Sequence, residues 1–131
     1  MSKAKIQLVA EIGCNHMGQL KLAKLMIDQA KKSGADYVKF QKRDNKTLLS
    51  EKQYYEKHPV PHNSFGKTYG EHREYLEFNS STHKKIFQYC NKKKIKYSCS
   101  VWDVKSAMEI STICKEYIKI PSATNMDFEV L

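Results

Sequence analysis

Four polar side chains in this sequence sit where strand-like patterns put them on one surface. In "DYVKFQK", residues 36–42, alternation sends Val38 and Phe40 to one face and Lys39 and Gln41 to the other. The same alternation in "IQLVAEIG" separates Ile6, Leu8, Ala10 and Ile12 from Gln7, Val9 and Glu11. In "YIKIPS" it opposes Ile118 and Ile120 to Lys119. If the apolar faces pack under helices, then Glu11, Lys39, Gln41 and Lys119 converge on the other side, near the C-terminal ends of three strands. In parallel α/β proteins that end binds ligands.

Two lysines and one glutamate in a sheet interior are costly unless paired or bound to a ligand. A buried Lys–Glu ion pair satisfies one cation and leaves the other, so an anionic ligand, phosphate or carboxylate, completes the charge balance. Ser98, Ser100 and Ser122 stand at strand ends as hydroxyl donors. The same residues also suit a lysine that forms a Schiff base, which borohydride trapping of an adduct would separate from anion binding. Cys14 and His16 need not face each other after a strand end, and no oxyanion motif supports a thiol nucleophile there.

Strand and helix patterns alternate along the chain. After the first strand, "QLKLAKLMIDQAKKSG" sets Leu22, Ala23, Met26, Ile27 and Ala30 at helical spacing, with Gly34 as the stop. Between Asp44 and Asn79 the pattern gives way to a polar, aromatic-bearing stretch holding Pro59 and Pro61, read as one long connection. Then "SSTHKKIFQYCNKKK" predicts a helix capped by Ser80 or Ser81 with a stripe of Ile86, Phe87 and Cys90, followed by the strand "IKYSCSV". Asp103 caps a further helix whose expected buried face is Val104, Ala107, Met108, Ser111 and Cys114. The order β-α-β-(connection)-α-β-α-β predicts an α/β fold with a parallel sheet. It is either an open doubly wound sheet or the first four strands, with their helices, of a (β/α)8 TIM barrel, which needs about 250 residues.

Composition narrows the function classes. The 131 residues are 40% apolar and 28% charged, enough for one domain with a core. No apolar run approaches the roughly 18 residues of a membrane span, and the N-terminus lacks a signal-peptide pattern, so the expected location is the cytoplasm, away from membranes. Cys14, Cys90, Cys99 and Cys114 are scattered without a zinc spacing and read as reduced thiols. His58 and His62 are divided by prolines and read as loop residues. The net charge of +9 raises nucleic-acid binding, but the densest run, "NKKKIK", lies at a helix C-terminus where lysines suit the macrodipole, and no nucleic-acid motif accompanies it. No nucleic-acid partner is expected.

The segments "AEIGCNHMG", "GADYVKFQKRD", "SFGKTYGEHREYLEF" and "YIKIPSATNMDFEVL" resemble, in this order, the N-terminal half of the sialic acid synthases, the N-acetylneuraminate and N-acylneuraminate-9-phosphate synthase group. The resemblance implies that residues 1–131 are the first half of a barrel. The remaining strands, the metal-binding histidines and a C-terminal antifreeze-like domain are expected beyond residue 131. It implies condensation of phosphoenolpyruvate with N-acetylmannosamine, or its 6-phosphate, in a homodimer. A divalent metal, manganese or magnesium, would polarise the aldehyde, with no ligands from this chain. By resemblance, Lys39, Lys119 and Ser122 hold phosphoenolpyruvate, with Ser98 or Ser100 replacing a family threonine hydroxyl. Glu11 and Gln41 line the sugar side, Glu11 as the catalytic group toward a sugar hydroxyl or the attacking water, and Asn63 touches the sugar. Members with serine-threonine-proline after the third strand differ from "YSCSVWD", and "PSATN" replaces a glycine-serine-glycine-carboxylate run. Those departures put Cys99 and Thr124 where the family has other chemistry. Alternatives are a legionaminate- or pseudaminate-type synthase, a Schiff-base sugar aldolase, or a noncatalytic half barrel that binds or assembles.

Overall fold

Apolar side chains at every second strand position need covering, and helices with apolar stripes, placed between the strands in the chain, cover them. A computed structural model describes residues 6–131. The strands are β1 (Val9–Gly13), β2 (Tyr37–Lys42), β3 (Lys96–Val101) and β4 (Ile118–Lys119). The helices are α1 (Leu20–Lys32), α2 (Asn45–Leu48), α3 (Glu51–Tyr55), α4 (Tyr69–Leu76), α5 (Ser80–Lys93) and α6 (Val104–Ser111). All described strand pairs are parallel, in the order β1-β2-β3-β4.

Register sets which residues share a face. Glu11 pairs with Lys39, Lys39 with Ser98, Gln41 with Ser100, and Ser100 with Lys119. These form the inner face. Phe40 and Cys99 pair on the outer face and belong to the core under the helices, with Val38, Tyr97 and Val101. A register shift between Glu11 and Gly13 locally breaks the β1–β2 ladder just as the chain leaves the sheet.

Helix α1 buries Ala23 and Ile27 completely and packs Met26 and Ala30 beside them, as the spacing predicts. Lys31 and Lys32 lie in its last turn, and Gly34 follows at φ +86°. Three expectations need correction. Helix α5 is capped by Asn79 and not by a serine: the Asn79 side chain accepts from Thr82 N at 2.9 Å, and Ser80 and Ser81 are already helical. The buried side of α6 is Ser106 and Ile110, leading on to Cys114, while Val104 and Met108 are exposed. Asp103 causes the rotation, because its carboxylate caps Ser106 N at 2.7 Å and accepts from the Ser106 hydroxyl at 2.7 Å, drawing that residue inward. At the start of the chain, Ile6 and Leu8 precede β1 and are exposed, so they do not share the packed face of Ile12.

The stretch from 44 to 79 also differs from the expected plain connection, because α2, α3 and α4 form within it. A capping box between Ser50 and Gln53 starts α3, and Thr68 caps α4. Phe65 stacks on Tyr75 with centroids 4.7 Å apart, and His72 lies against Phe65 and His58. These aromatic contacts order a segment whose composition alone reads as irregular.

The excursion returns to the first loop at Gly18, which has φ +69° and whose added Cβ would lie 2.3 Å from the Tyr75 carbonyl oxygen. Gly34 also has positive φ but stands in open space. Gly18→Ala is therefore expected to lose about 2 kcal/mol or more, and Gly34→Ala only about 1 kcal/mol, in urea unfolding. Equal losses at the two positions would show that the contact with Tyr75 carries no weight.

Candidate active site

The inner face is built from the middle of the sheet outward. Lys39 is 4% exposed, and its Nζ donates to Glu11 Oε2 at 2.6 Å and to Ser100 Oγ at 3.3 Å. The ammonium is held between neighbours on both sides because β2 lies between β1 and β3. Gln41 and Lys119 flank Ser100 in register, so all five side chains start from one face of the sheet. Lys119 is exposed on the two-residue β4, and Ser122 is exposed on the Ser122–Thr124 turn that follows. The Lys–Glu pair expected as one alternative is formed by Lys39 and Glu11, but only its lysine is buried, and Lys119 is the cation left over.

Two predicted residues are placed differently. Ser98 is fully buried and donates to the Tyr117 carbonyl at 3.1 Å, so its hydroxyl proton is committed to the backbone of the neighbouring strand. It is not the free donor expected. Asn63 is exposed on the Pro61–Asn63 turn, and among the described residues no hydrogen bond joins it to the Lys39 cluster. Cys99 lies on the outer face, where burial pushes its thiol far above the ordinary range. It cannot stand in for an inner-face hydroxyl.

Below Lys39 on the same face, Tyr37 closes the floor. Its hydroxyl donates to Glu116 at 2.9 Å and accepts from Lys96 at 3.2 Å, and its ring meets Tyr117 edge-on at 5.3 Å. Hydrogen bonding to Lys96 holds the Glu116 carboxyl below its usual range. At the rim, Arg43 and Glu77 form a largely buried pair, and the Arg43 guanidinium lies 6.0 Å from the Trp102 ring. Burial raises the Glu77 pKa even though Arg43 pulls against it. Sequence reading missed both networks, since partners 34 to 79 residues apart leave no local spacing; only the alternation placing Tyr37 beside Lys39 hinted at the first.

Behind the sheet, His16 and His83 are neutral packing elements. His16 stacks on Phe78 at 3.9 Å, and its Nδ1 accepts from Gly18 N. Burial lowers its pKa to about 4. It is therefore no base for Cys14. His83 shares a 2.8 Å hydrogen bond with the Tyr97 hydroxyl, and burial lowers its pKa to about 3. Among the described residues no three His, Cys, Asp or Glu side chains come together to hold a divalent metal. No helix among the described residues is long and apolar enough to cross a membrane.

The NeuB family model matches residues 26–131. The chain belongs to the NeuB family. It is 35% identical over 126 residues to the N-acetylneuraminate-9-phosphate synthase of Drosophila melanogaster, covering 96% of this chain and 34% of that protein. It is 34% identical over 126 residues to the N,N'-diacetyllegionaminic acid synthase of Legionella pneumophila, covering 92% of this chain and 35% of that one. The chain thus spans about a third of the length of these relatives. Its fold matches the crystal structure of the N-acetylneuraminic acid (sialic acid) synthetase of Leptospira borgpetersenii with a TM-score of 0.75 at 24% identity, covering 95% of this chain and 39% of that one. A spore coat polysaccharide biosynthesis protein E from Chromobacterium violaceum gives 0.76 at 22% identity, covering 96% and 37%. This NeuB chain is a partial (β/α)8 barrel of four parallel strands and their helices.

The buried imidazoles fix a pH dependence. Unfolded histidine titrates near 6.5, so between that value and about pH 4 the unfolded chain binds more protons than the folded one. Stability is fully present above pH 6.5 and falls as pH drops, each imidazole contributing about 1.4 kcal/mol per pH unit. Urea midpoints measured from pH 7 to pH 4.5 should fall steeply, and His83→Leu should remove about half the slope. An unchanged slope in that variant would mean His83 is not held neutral.

Proposed function

We propose that this chain is the phosphoenolpyruvate-binding part of a synthase barrel that joins phosphoenolpyruvate to the aldehyde of an N-acylated, mannosamine-type sugar, giving a nine-carbon 2-keto sugar acid and phosphate. The observation that carries the reading is the buried Lys39 ammonium, with Ser100 beside it and Lys119 next in register, on the ligand-binding end of a parallel sheet. A buried cation with a second cation on the same sheet face, two strands away and in register with Ser100, suits a ligand with two anionic groups. Phosphoenolpyruvate has a phosphate and a carboxylate for Lys39 and Lys119, and Ser100 and Ser122 offer hydroxyls beside them. Glu11 and Gln41, on the same face, would meet the sugar hydroxyls and the water that adds to C2. Asn63 would reach the sugar from the excursion.

C3 of phosphoenolpyruvate attacks the aldehyde, water adds at C2, and phosphate leaves by C–O cleavage. The divalent metal implied by the family would polarise the aldehyde from ligands outside this chain. What these residues supply is placement: anion contacts that hold the enol ester in line, and a carboxylate at the sugar side. Four further strand-helix units would complete the barrel across the unpaired sides of β1 and β4, and a homodimer would be the complete enzyme. The similar likeness to a 9-phosphate and a legionaminic acid synthase supports an N-acylated sugar as the substrate class.

Calorimetric titration of the folded chain with phosphoenolpyruvate is expected to show saturable binding that Lys39→Met abolishes. Lys119→Ala should weaken it by about 1.5 to 3 kcal/mol, the worth of a charge-assisted anion contact. A folded wild-type chain that binds nothing would overturn the anion site. Unchanged affinity in Lys119→Ala would remove Lys119 from it.

A further inference from the structure

The Lys39–Glu11 pair is lopsided in a way that assigns its two members different parts. The Lys39 side chain is 6% exposed, and that of Glu11 is 62% exposed. Both carboxylate oxygens of Glu11 lie against Nζ, so the carboxylate occupies donor positions that an incoming anion needs. Glu11 stands near the C-terminal end of β1, next to the register shift, where the chain leaves the sheet and the carboxylate can swing toward the mouth of the site. Lys39, enclosed between β1 and β3, cannot follow it, and the Ser100 hydroxyl retains its ammonium from the other side.

We infer that Glu11 is a built-in occupant of the anion site, displaced from Lys39 when the substrate's phosphate or carboxylate arrives. This rests on the reading of Lys39 as an anion ligand and adds an order of events to it. In the free protein Glu11 neutralises Lys39. Anion binding exchanges one carboxylate for another anionic group on the same ammonium, so the buried cation is never left unpaired. The same exchange frees the Glu11 carboxylate at the mouth of the site, where it turns to the sugar hydroxyl or water only after the anion is seated. Phosphoenolpyruvate therefore binds ahead of the sugar, and the carboxylate meets the sugar only in a loaded site.

The test is titration of the full chain with inorganic phosphate and with phosphoenolpyruvate, comparing wild type, Glu11→Gln and Glu11→Asp, with circular dichroism to check the fold. Removing an internal competitor tightens binding, so Glu11→Gln should bind both anions about 5-fold more tightly, the equivalent of the roughly 1 kcal/mol of a partly exposed ion pair. Glu11→Asp keeps the charge but is one methylene too short to reach Nζ, and it should bind nearly as tightly as Glu11→Gln. If the aspartate variant matches wild type while the glutamine variant gains, simple charge repulsion explains the gain and displacement is overturned. If wild type binds and both variants bind equally or more weakly, displacement fails while the anion site stands. If neither wild type nor either folded variant binds an anion, the anion-site reading fails with it.

Discussion

A single ammonium placed inside a sheet constrains the rest of this molecule. Lys39 comes from the central β1–β2–β3 ladder, where its backbone is hydrogen-bonded on both sides and its side chain is almost wholly buried. An unpaired charge there would cost several kcal/mol, so the neighbouring inner positions must be polar and correctly registered. Glu11 and Ser100 meet that need from opposite strands. A one-residue slip of either strand would turn those side chains into the helix layer and bring apolar ones against the ammonium.

The outer face solves the opposite problem. There two imidazoles and a thiol are held uncharged: burial keeps His16 and His83 neutral and raises the Cys90 thiol to about 12. The charged groups on that side stand at its rim and are paired, Lys42 with Glu109 at 3.0 Å, beside the Arg43–Glu77 pair. Within the same strand, Phe40 and Lys39 serve these two environments from adjacent positions. Strand alternation is thus what allows a charged site and a dry core to lie one side-chain length apart.

This division explains what was readable in the sequence. The period of two in "DYVKFQK" and the period of 3.6 in α1 are set by local geometry, so the parallel order and the shared face of Glu11, Lys39, Gln41 and Lys119 follow from the residues alone. The rotation of α6 did not, because it depends on the Asp103–Ser106 cap winning over the apolar appeal of Val104 and Met108. The helices of the excursion were missed although Ser50–Gln53 and Thr68 carry capping signals, because these helices are short and ring stacking such as Phe65 on Tyr75 carries no sequence period. Ser98 was misjudged for a similar reason: its hydroxyl lies beside a backbone carbonyl that only the pairing with β4 brings near.

The site is not equally firm throughout. Lys39 and Ser100 sit on six-residue strands in the continuous β2–β3 ladder, and Tyr37 braces the face from below through Lys96 and Glu116. Lys119 sits on a strand of two residues, paired to β3 and followed one residue later by Pro121, which has no amide hydrogen to extend a ladder. Its position therefore depends on whatever pairs with the other side of β4, whereas that of Lys39 does not. In a barrel the next strand would supply that support, and the second cation would then be fixed opposite the first. The two lysines are thus placed by different means: Lys39 by local register, Lys119 by whatever pairs with β4 on its other side.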